Sequence, residues 1–205
     1  MAGDIWTVVH DERAALAHDL GALRREQWDA DSLCAGWAVR DVVAHLAATA
    51  MLSKCRFVGE IVLGGFSPDR IVRRQVAVGR TRGPEQLLAQ FAAAVRSTAS
   101  PPLPVISRIV EIVVHAEDIR RPLGLGHAYR RDHIGAAVAY LAAHRFSGGR
   151  RRLAGLSLVG TDAGFTVGDG LTVEGPAVSL LLAASGRRVA LGELNGPGVA
   201  VLAAR

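Results

Sequence analysis

Glu111 and His115 stand four residues apart in the run Glu111-Ile112-Val113-Val114-His115. On a helix that spacing puts both side chains on one face, where a carboxylate and an imidazole can grip one divalent ion. Taken alone, such a pair is just as often a surface ion pair. Its setting is what gives it weight: Ile109, Val110, Ile112, Val113 and Val114 make the helix apolar nearly all round, so it is predicted to be buried. A buried Glu and His need partners. His45 offers itself from a second apolar run, Asp41-Val42-Val43-Ala44-His45-Leu46-Ala47-Ala48. A lone histidine on an apolar face is more often a hydrogen-bonded core residue than a ligand, but three ligands from two packed helices is how helical bundles build metal sites. His10 and His18, eight residues apart in the first helical stretch, are read as helix-surface residues.

The elements that must position these groups follow from periodicity. Asp4 to Arg25 carries an apolar stripe through Ile5, Val8, Val9, Leu16 and Leu20, which predicts a first helix. A second is predicted from about Trp37 to Leu63, stopped by Gly64-Gly65, and a polar, arginine-rich stretch follows it. Gly83-Pro84 opens a helix to Ser97, and the rigid Ser100-Pro101-Pro102-Leu103-Pro104 precedes the Glu111/His115 helix, predicted over Val105 to Arg121 and ended by Pro122 and Gly124. Asp132 is a candidate cap for a further helix to Arg145 with Ile134, Val138 and Leu141 inward. At Gly148-Gly149-Arg150-Arg151-Arg152 the pattern changes. Beyond it Leu156, Leu158, Phe165, Val167, Leu171 and Val173 alternate in short runs that predict strands, Ala177 to Ala184 reads as a helix, and Val199 to Ala203 as a last strand. The predicted domains are therefore residues 1–147 and 153–205.

Composition narrows the function classes. A chain of 205 residues, 50% of them hydrophobic, can bury a sizeable core. Its longest apolar runs fall short of the roughly 20 residues of a membrane span, and the amino terminus lacks the pattern of a secretory signal, so a cytoplasmic protein is expected. Cys34 and Cys55 form no C-x-x-C pair and are read as small buried hydrophobes. The net charge of +5 and pI near 10.2 raise the prospect of nucleic-acid binding. The excess is almost wholly arginine in scattered pairs with no interleaved aromatics, which favours solvated helix ends and loops over a binding surface. No nucleic-acid partner and no membrane are expected.

Two segments carry a resemblance. Gly36-Trp37-Ala38-Val39-Arg40-Asp41-Val42-Val43-Ala44-His45-Leu46 is similar to the G-W-x-x-[RK]-D-[VL]-x-x-H-[LI] segment of the mycothiol-dependent maleylpyruvate isomerase family, within the wider DinB-like group. Glu111-Ile112-Val113-Val114-His115-Ala116-Glu117-Asp118-Ile119-Arg120 resembles its second signature, E-x-x-x-H-x-x-D-[VI]-R. The resemblance implies an α+β fold: a DinB-like four-helix bundle followed by a small α/β C-terminal domain similar to sterol carrier proteins. It implies a divalent metal, usually zinc, held by His45, Glu111 and His115, with mycothiol as the thiol cosubstrate. One departure concerns stability rather than chemistry: relatives usually have Ser or Thr after the tryptophan, and here that position is Ala38. Losing the cap costs on the order of 1 kcal/mol, and Asp41 in the first turn partly compensates.

Two imidazoles and one carboxylate leave a coordination position open, the mark of a catalytic site. Asp118 has two readings: orienting a ligating imidazole, or an ordinary helix ion pair with Arg121. Arg120 is a candidate for meeting a substrate carboxylate, and Trp37 either walls the pocket or is core. The function implied is a thiol-dependent enzyme that activates a thiolate at the metal for cis-trans isomerisation or S-transfer. It would act on a small electrophile or a maleylpyruvate-like acid. The alternatives are a non-catalytic, metal-stabilised binding or regulatory protein, and a metal-free hydrogen-bonded bundle. Substrate, metal identity and oligomeric state stay open, a homodimer being one option.

Overall fold

The structure, a computed structural model, describes residues 2–63, 67–131, 133–144 and 148–205. The Gly64-Gly65 stop, the Asp132 cap and the helix end at Arg145 lie outside them. The fold is mostly helical with one small three-stranded sheet, α+β as expected. It divides into two compact units, Met1–His127 and Ala128–Arg205.

In the first unit, α1 (Ala2–Gly21), α2 (Val39–Ala50), α5 (Pro84–Ala93) and α6 (Ser107–Arg120) close a ring. α1 packs on α5 and α6, and α2 packs on the same two from the other side. The four apolar stripes meet in the middle: Val9 and Leu16, Val42 and Val43, Leu87 and Phe91, Ile109 and Ile112 are all 2% exposed or less. Burial of side chains of this size stabilises by about 1.5–3 kcal/mol each.

The long second helix expected over Trp37 to Leu63 is instead two helices. α2 ends at Ala50 and α3 (Lys54–Leu63) starts after Met51-Leu52-Ser53. The Thr49 hydroxyl donates to the backbone oxygens of His45 and Leu46, a local bond that competes with continued helix at the end of α2. The arginine-rich stretch is also a helix, α4 (Pro68–Gly79), which packs on α2. Its close approach rests on Gly79, where an added Cβ would lie 2.1 Å from the Cβ of Ala44.

Ala38 caps α2 with no side chain, and the Asp41 carboxylate takes over: Oδ2 accepts the Ala38 N–H at 3.1 Å. Arg80, just past α4, grips both oxygens of that carboxylate, at 2.9 and 2.7 Å.

The second unit begins before the expected boundary. α7 (Ile134–Ala143), assigned from sequence to the bundle, packs instead on α8 (Gly149–Arg152), β2 (Phe165–Val167) and α9 (Ala177–Ala184). It buries Ile134, Ala137, Val138 and Leu141 there. The strands fall where the alternation put them: β1 (Leu156–Gly160), β2 (Phe165–Val167) and β3 (Leu171–Gly175), in the order β2-β1-β3. β1 runs antiparallel to β2, with Leu158 opposite Val167, and parallel to β3, with Leu158 opposite Val173. The Asp162 carboxylate, in the β1–β2 turn, accepts the first N–H of α9 at 2.7 Å.

The expected last strand is α10 (Gly198–Ala203). Val199, Val201 and Leu202 suit either element, but Gly198 lets this segment start as a helix against β3: an added Cβ would lie 2.7 Å from the Leu171 oxygen. Among the described residues, no helix is long and apolar enough to cross a membrane.

Candidate functional site

Three segments of the helical unit build the site. α2 contributes His45, α6 contributes Arg108, Glu111, His115 and Asp118, and a short loop ahead of α2 contributes Cys34 and Trp37. That loop is shaped locally. Gly36 is left-handed at φ +75°, the Trp37 N–H donates to the Cys34 oxygen at 2.9 Å, and Ser32 bonds both strands of the turn. Its register against α6 is set by the Leu33 N–H, which donates to the Asp118 backbone oxygen at 3.0 Å.

The two histidines come together. Their ring centroids are 5.0 Å apart in an edge-on arrangement, and the Trp37 ring stands 5.6 Å from His45. Each imidazole has its Nδ1 engaged: His45 with Gln75 Oε1 at 3.2 Å and His115 with Asp118 Oδ2 at 2.9 Å. Asp118 is fully buried and its Oδ2 also accepts from the Cys34 thiol at 3.0 Å. An ionised Asp118 oxygen accepts from His115 Nδ1, the tautomer in which Nε2 is the nitrogen left to bind an ion.

Burial holds the pKa of His45 down to about 4. The nearby His115 and Arg108 press the same way, and Glu111 and Gln75 only partly oppose them. His45 is thus neutral near pH 7, the form that binds metals. For Glu111, burial alone would raise the pKa, but the Arg108 guanidinium, the two histidines and Thr49 outweigh it and hold the carboxyl below its usual range. In this structure Glu111 is turned to Arg108, whose NH1 lies 2.9 Å from its Oε2.

Among the described residues, the group of metal-type ligands gathered within 4.8 Å of one another is Cys34, His115 and Asp118, a candidate metal-binding triad. Its spacing is that of hydrogen bonds, however. Two ligands on a tetrahedral ion at bond lengths of 2.0–2.3 Å lie about 3.3 Å or more apart, whereas Asp118 Oδ2 is 2.9 Å from Nδ1 and 3.0 Å from the thiol. The donor set of His45, Glu111 and His115 fits a divalent ion chemically: two imidazoles whose remaining nitrogens are Nε2, and an ionised carboxylate. His45, Glu111 and His115 are not themselves gathered within 4.8 Å of one another, Glu111 being turned to Arg108.

Arg120 is placed elsewhere. It is fully buried and its guanidinium grips Asp19 of α1, with Nε and NH2 at 2.8 and 2.7 Å. Sequence reasoning left out three members of the site. Cys34, read as a small hydrophobe, is half-buried with its thiol on Asp118, and Cys55, read the same way, is exposed. Gln75 comes from the helix that was not foreseen. Arg108 was passed over, although its place one turn before Glu111 was a signal. A cavity of about 430 Å³ opens between α2, α4 and α5, with Ala44, Ala48, Met51, Arg74 and Gln75 among its walls. Gln75 therefore touches both the cavity and His45.

With this geometry in view, comparison with known proteins gives a consistent picture. Residues 9–103, just under half of the chain, match the family described as the mycothiol maleylpyruvate isomerase N-terminal domain. The first of the two motifs lies inside that span. Two solved structures share the fold, a mycothiol-dependent maleylpyruvate isomerase and a histidine-to-alanine mutant of one. Each is 18% identical, with 96% of this chain and 93% of the other covered, at TM-scores of 0.64 and 0.63. No match was found among curated proteins. The resemblance drawn from the two motifs holds, and at this identity the structural likeness establishes the fold.

Proposed function

We propose, for a chain whose amino-terminal part matches the mycothiol maleylpyruvate isomerase N-terminal domain and whose fold is that isomerase's, that it is a divalent-metal- and thiol-dependent enzyme using His45, Glu111 and His115 as ligands. The observation that carries this reading is the pair of imidazoles, 5.0 Å apart between ring centroids, each with Nδ1 held by its own acceptor. A bound ion, zinc being the first choice for this donor set, would supply Lewis acidity that lowers the pKa of a thiol or water at the open position.

The chain's own residues do the rest. Asp118 holds the His115 ring and its tautomer, as hydrogen-bonded carboxylates do for ligating histidines. Gln75 does the same for His45, and Trp37 walls that imidazole from one side. The thiolate, mycothiol in the reading the family supports, would add to one carbon of a cis double bond in a maleylpyruvate-like acid. Rotation about the resulting single bond and expulsion of the thiolate would then give the trans isomer. S-transfer to an electrophile would use the same groups. The setting proposed is the cytoplasm, where a reduced thiol pool keeps Cys34 and Cys55 free.

Elemental analysis after exhaustive dialysis tests the metal, in wild type beside His45→Ala and Glu111→Gln. About one ion per chain in the wild type, lost in both variants, is expected. Calorimetric titration of mycothiol into the zinc form tests the thiol. No heat from a protein with intact metal would favour the non-catalytic, metal-stabilised alternative.

A further inference from the structure

The positive charge around Glu111 exceeds what that carboxylate can pair. Arg13 and Arg108 are 2% and 6% exposed, and both feel Glu111 and each other. Arg13 is occupied by backbone oxygens, its NH1 on Ser97 at 2.8 Å and Ala94 at 3.5 Å. Asp118, the other buried carboxylate at the site, is taken by His115 and Cys34. Arg108 gives NH1 to Glu111, and its buried Nε has no hydrogen-bond partner among the described residues. A guanidinium buried with part of its fork unpaired is costly, because a donor removed from water forfeits its hydration. Such an arrangement persists where a ligand supplies the missing anion.

We infer that Arg108 is the anchor of a carboxylate subsite, taking a carboxylate of the small-molecule substrate. Its planar fork, with Nε and a terminal nitrogen side by side, matches a carboxylate in bidentate fashion as a lysine could not. In the metal-free protein Glu111 holds NH1 of this guanidinium and competes with the ligand for its charge. When Glu111 turns to a divalent ion, Arg108 is released to the substrate, so metal loading and carboxylate binding are coupled through one side chain. Arg120, committed to Asp19, is not available for this role. The coupling rests on the metal reading above, but the subsite itself does not.

The test is calorimetric titration of maleate, a four-carbon dicarboxylate, at constant ionic strength. In the metal-free form the wild type should bind weakly, and Glu111→Gln, which removes the competing carboxylate, should bind at least about tenfold more tightly. Adding Arg108→Met to Glu111→Gln should abolish that gain, and Arg108→Lys should retain only part of it. In the zinc form Arg108→Met should lose about tenfold or more in maleate affinity, while its zinc affinity by chelator competition is unchanged or higher.

The inference is overturned if metal-free Glu111→Gln gains no affinity, or if a folded Arg108→Met binds maleate as the wild type does. Should Arg108→Met fail to fold, the metal-free comparison of Glu111→Gln with wild type decides alone. Failure of the wild type to take up zinc would count against the metal reading and leave the metal-free arm intact.

Discussion

The two units bury different things. Every charged residue buried among the described ones lies in the helical unit: Glu12, Arg13, Asp41, Arg108, Glu117, Asp118 and Arg120. The second unit buries Ser179 as its polar residue and otherwise glycine and apolar side chains, with Tyr129 near its start. Burying an ionised group is unfavourable unless it is paired, so the helical unit has charges in its interior that an apolar core of the same size would not need. Some of them are structural. Arg120 with Asp19 ties α6 to α1, and Asp41 with Arg80 replaces a missing cap. Glu12 on His127, Glu117 on Arg121 and Arg13 on backbone oxygens are structural too, whereas Arg108 with Glu111 and Asp118 with His115 and Cys34 converge where the two histidines meet. The contrast accords with the proposed placing of the chemistry in the bundle and leaves the second unit as a packed apolar body.

The largest effect that would separate them is a core truncation in the second unit. Leu158 is 1% exposed, at the centre of the sheet, and Leu158→Ala should cost about 2–5 kcal/mol in the unfolding of the second unit. Urea denaturation followed by circular dichroism measures this. Metal content of the folded variant should equal that of the wild type. A variant that keeps its stability but loses its metal would break the assignment of roles.

Acid should act on the helical unit first. His45 is held near pKa 4 in the folded protein against an ordinary 6.5, so between about pH 6.5 and 4 the unfolded chain takes up a proton that the folded one refuses. Stability of the metal-free protein should therefore fall across that window, by up to about 3 kcal/mol. Glu111, held below its usual range, adds a loss in the same direction at lower pH, because its stabilisation is present above the unfolded pKa and disappears as the folded carboxyl protonates. Unfolding midpoints at pH 7, 5.5 and 4.5 for chelator-treated wild type and His45→Gln would check it. Parallel pH profiles for the two proteins would remove His45 as the cause.

How much of this could be read from the chain depends on the range of the contact. His45, Glu111 and His115 could be singled out because residue type and helical spacing are local signals. Their partners were not: Cys34 meets Asp118 across 84 positions, and His45 meets Gln75 across 30. Arg120 had the right chemistry for a carboxylate, but two residues on a helix turn the side chain by about 200° from Asp118, onto the face toward α1. α4 was hidden because Ile71 and Val76 are buried among arginines and give a thin stripe. The break between α2 and α3 carries neither glycine nor proline. Strands and α9 were legible because alternation and the Gly175-Pro176 punctuation are local too. The boundary between units was placed late because Gly148-Gly149 looks like a linker, whereas α8 packs there on α7.

A smaller effect distinguishes a functional buried charge from a structural one. Asp118→Asn keeps the shape but cannot offer two donors an ionised oxygen, so His115 would lose the partner that fixes its tautomer. Metal affinity by chelator competition should fall about 10- to 100-fold, or roughly 1.4–2.8 kcal/mol. The same measurement on Asp41→Asn should show little change, since Asp41 acts on the start of α2 and on Arg80. Equal losses in both would mean that buried carboxylates support the site only by supporting the bundle.

The smallest expected change is a gain. Ala38 leaves the first turn of α2 with half of a reciprocal cap: the Asp41 carboxylate already accepts the Ala38 N–H, and nothing on Ala38 returns the bond. Ala38→Ser supplies a hydroxyl that can accept from an N–H of the first turn, completing the exchange that capping boxes use. Its backbone is already extended, at φ −78° and ψ 165°, the conformation an N-cap requires. Thermal unfolding should show about 0.5–1 kcal/mol of added stability with metal content unchanged. A gain in stability accompanied by altered metal affinity would mean that this end of α2 reports directly on His45, two turns further along the same helix.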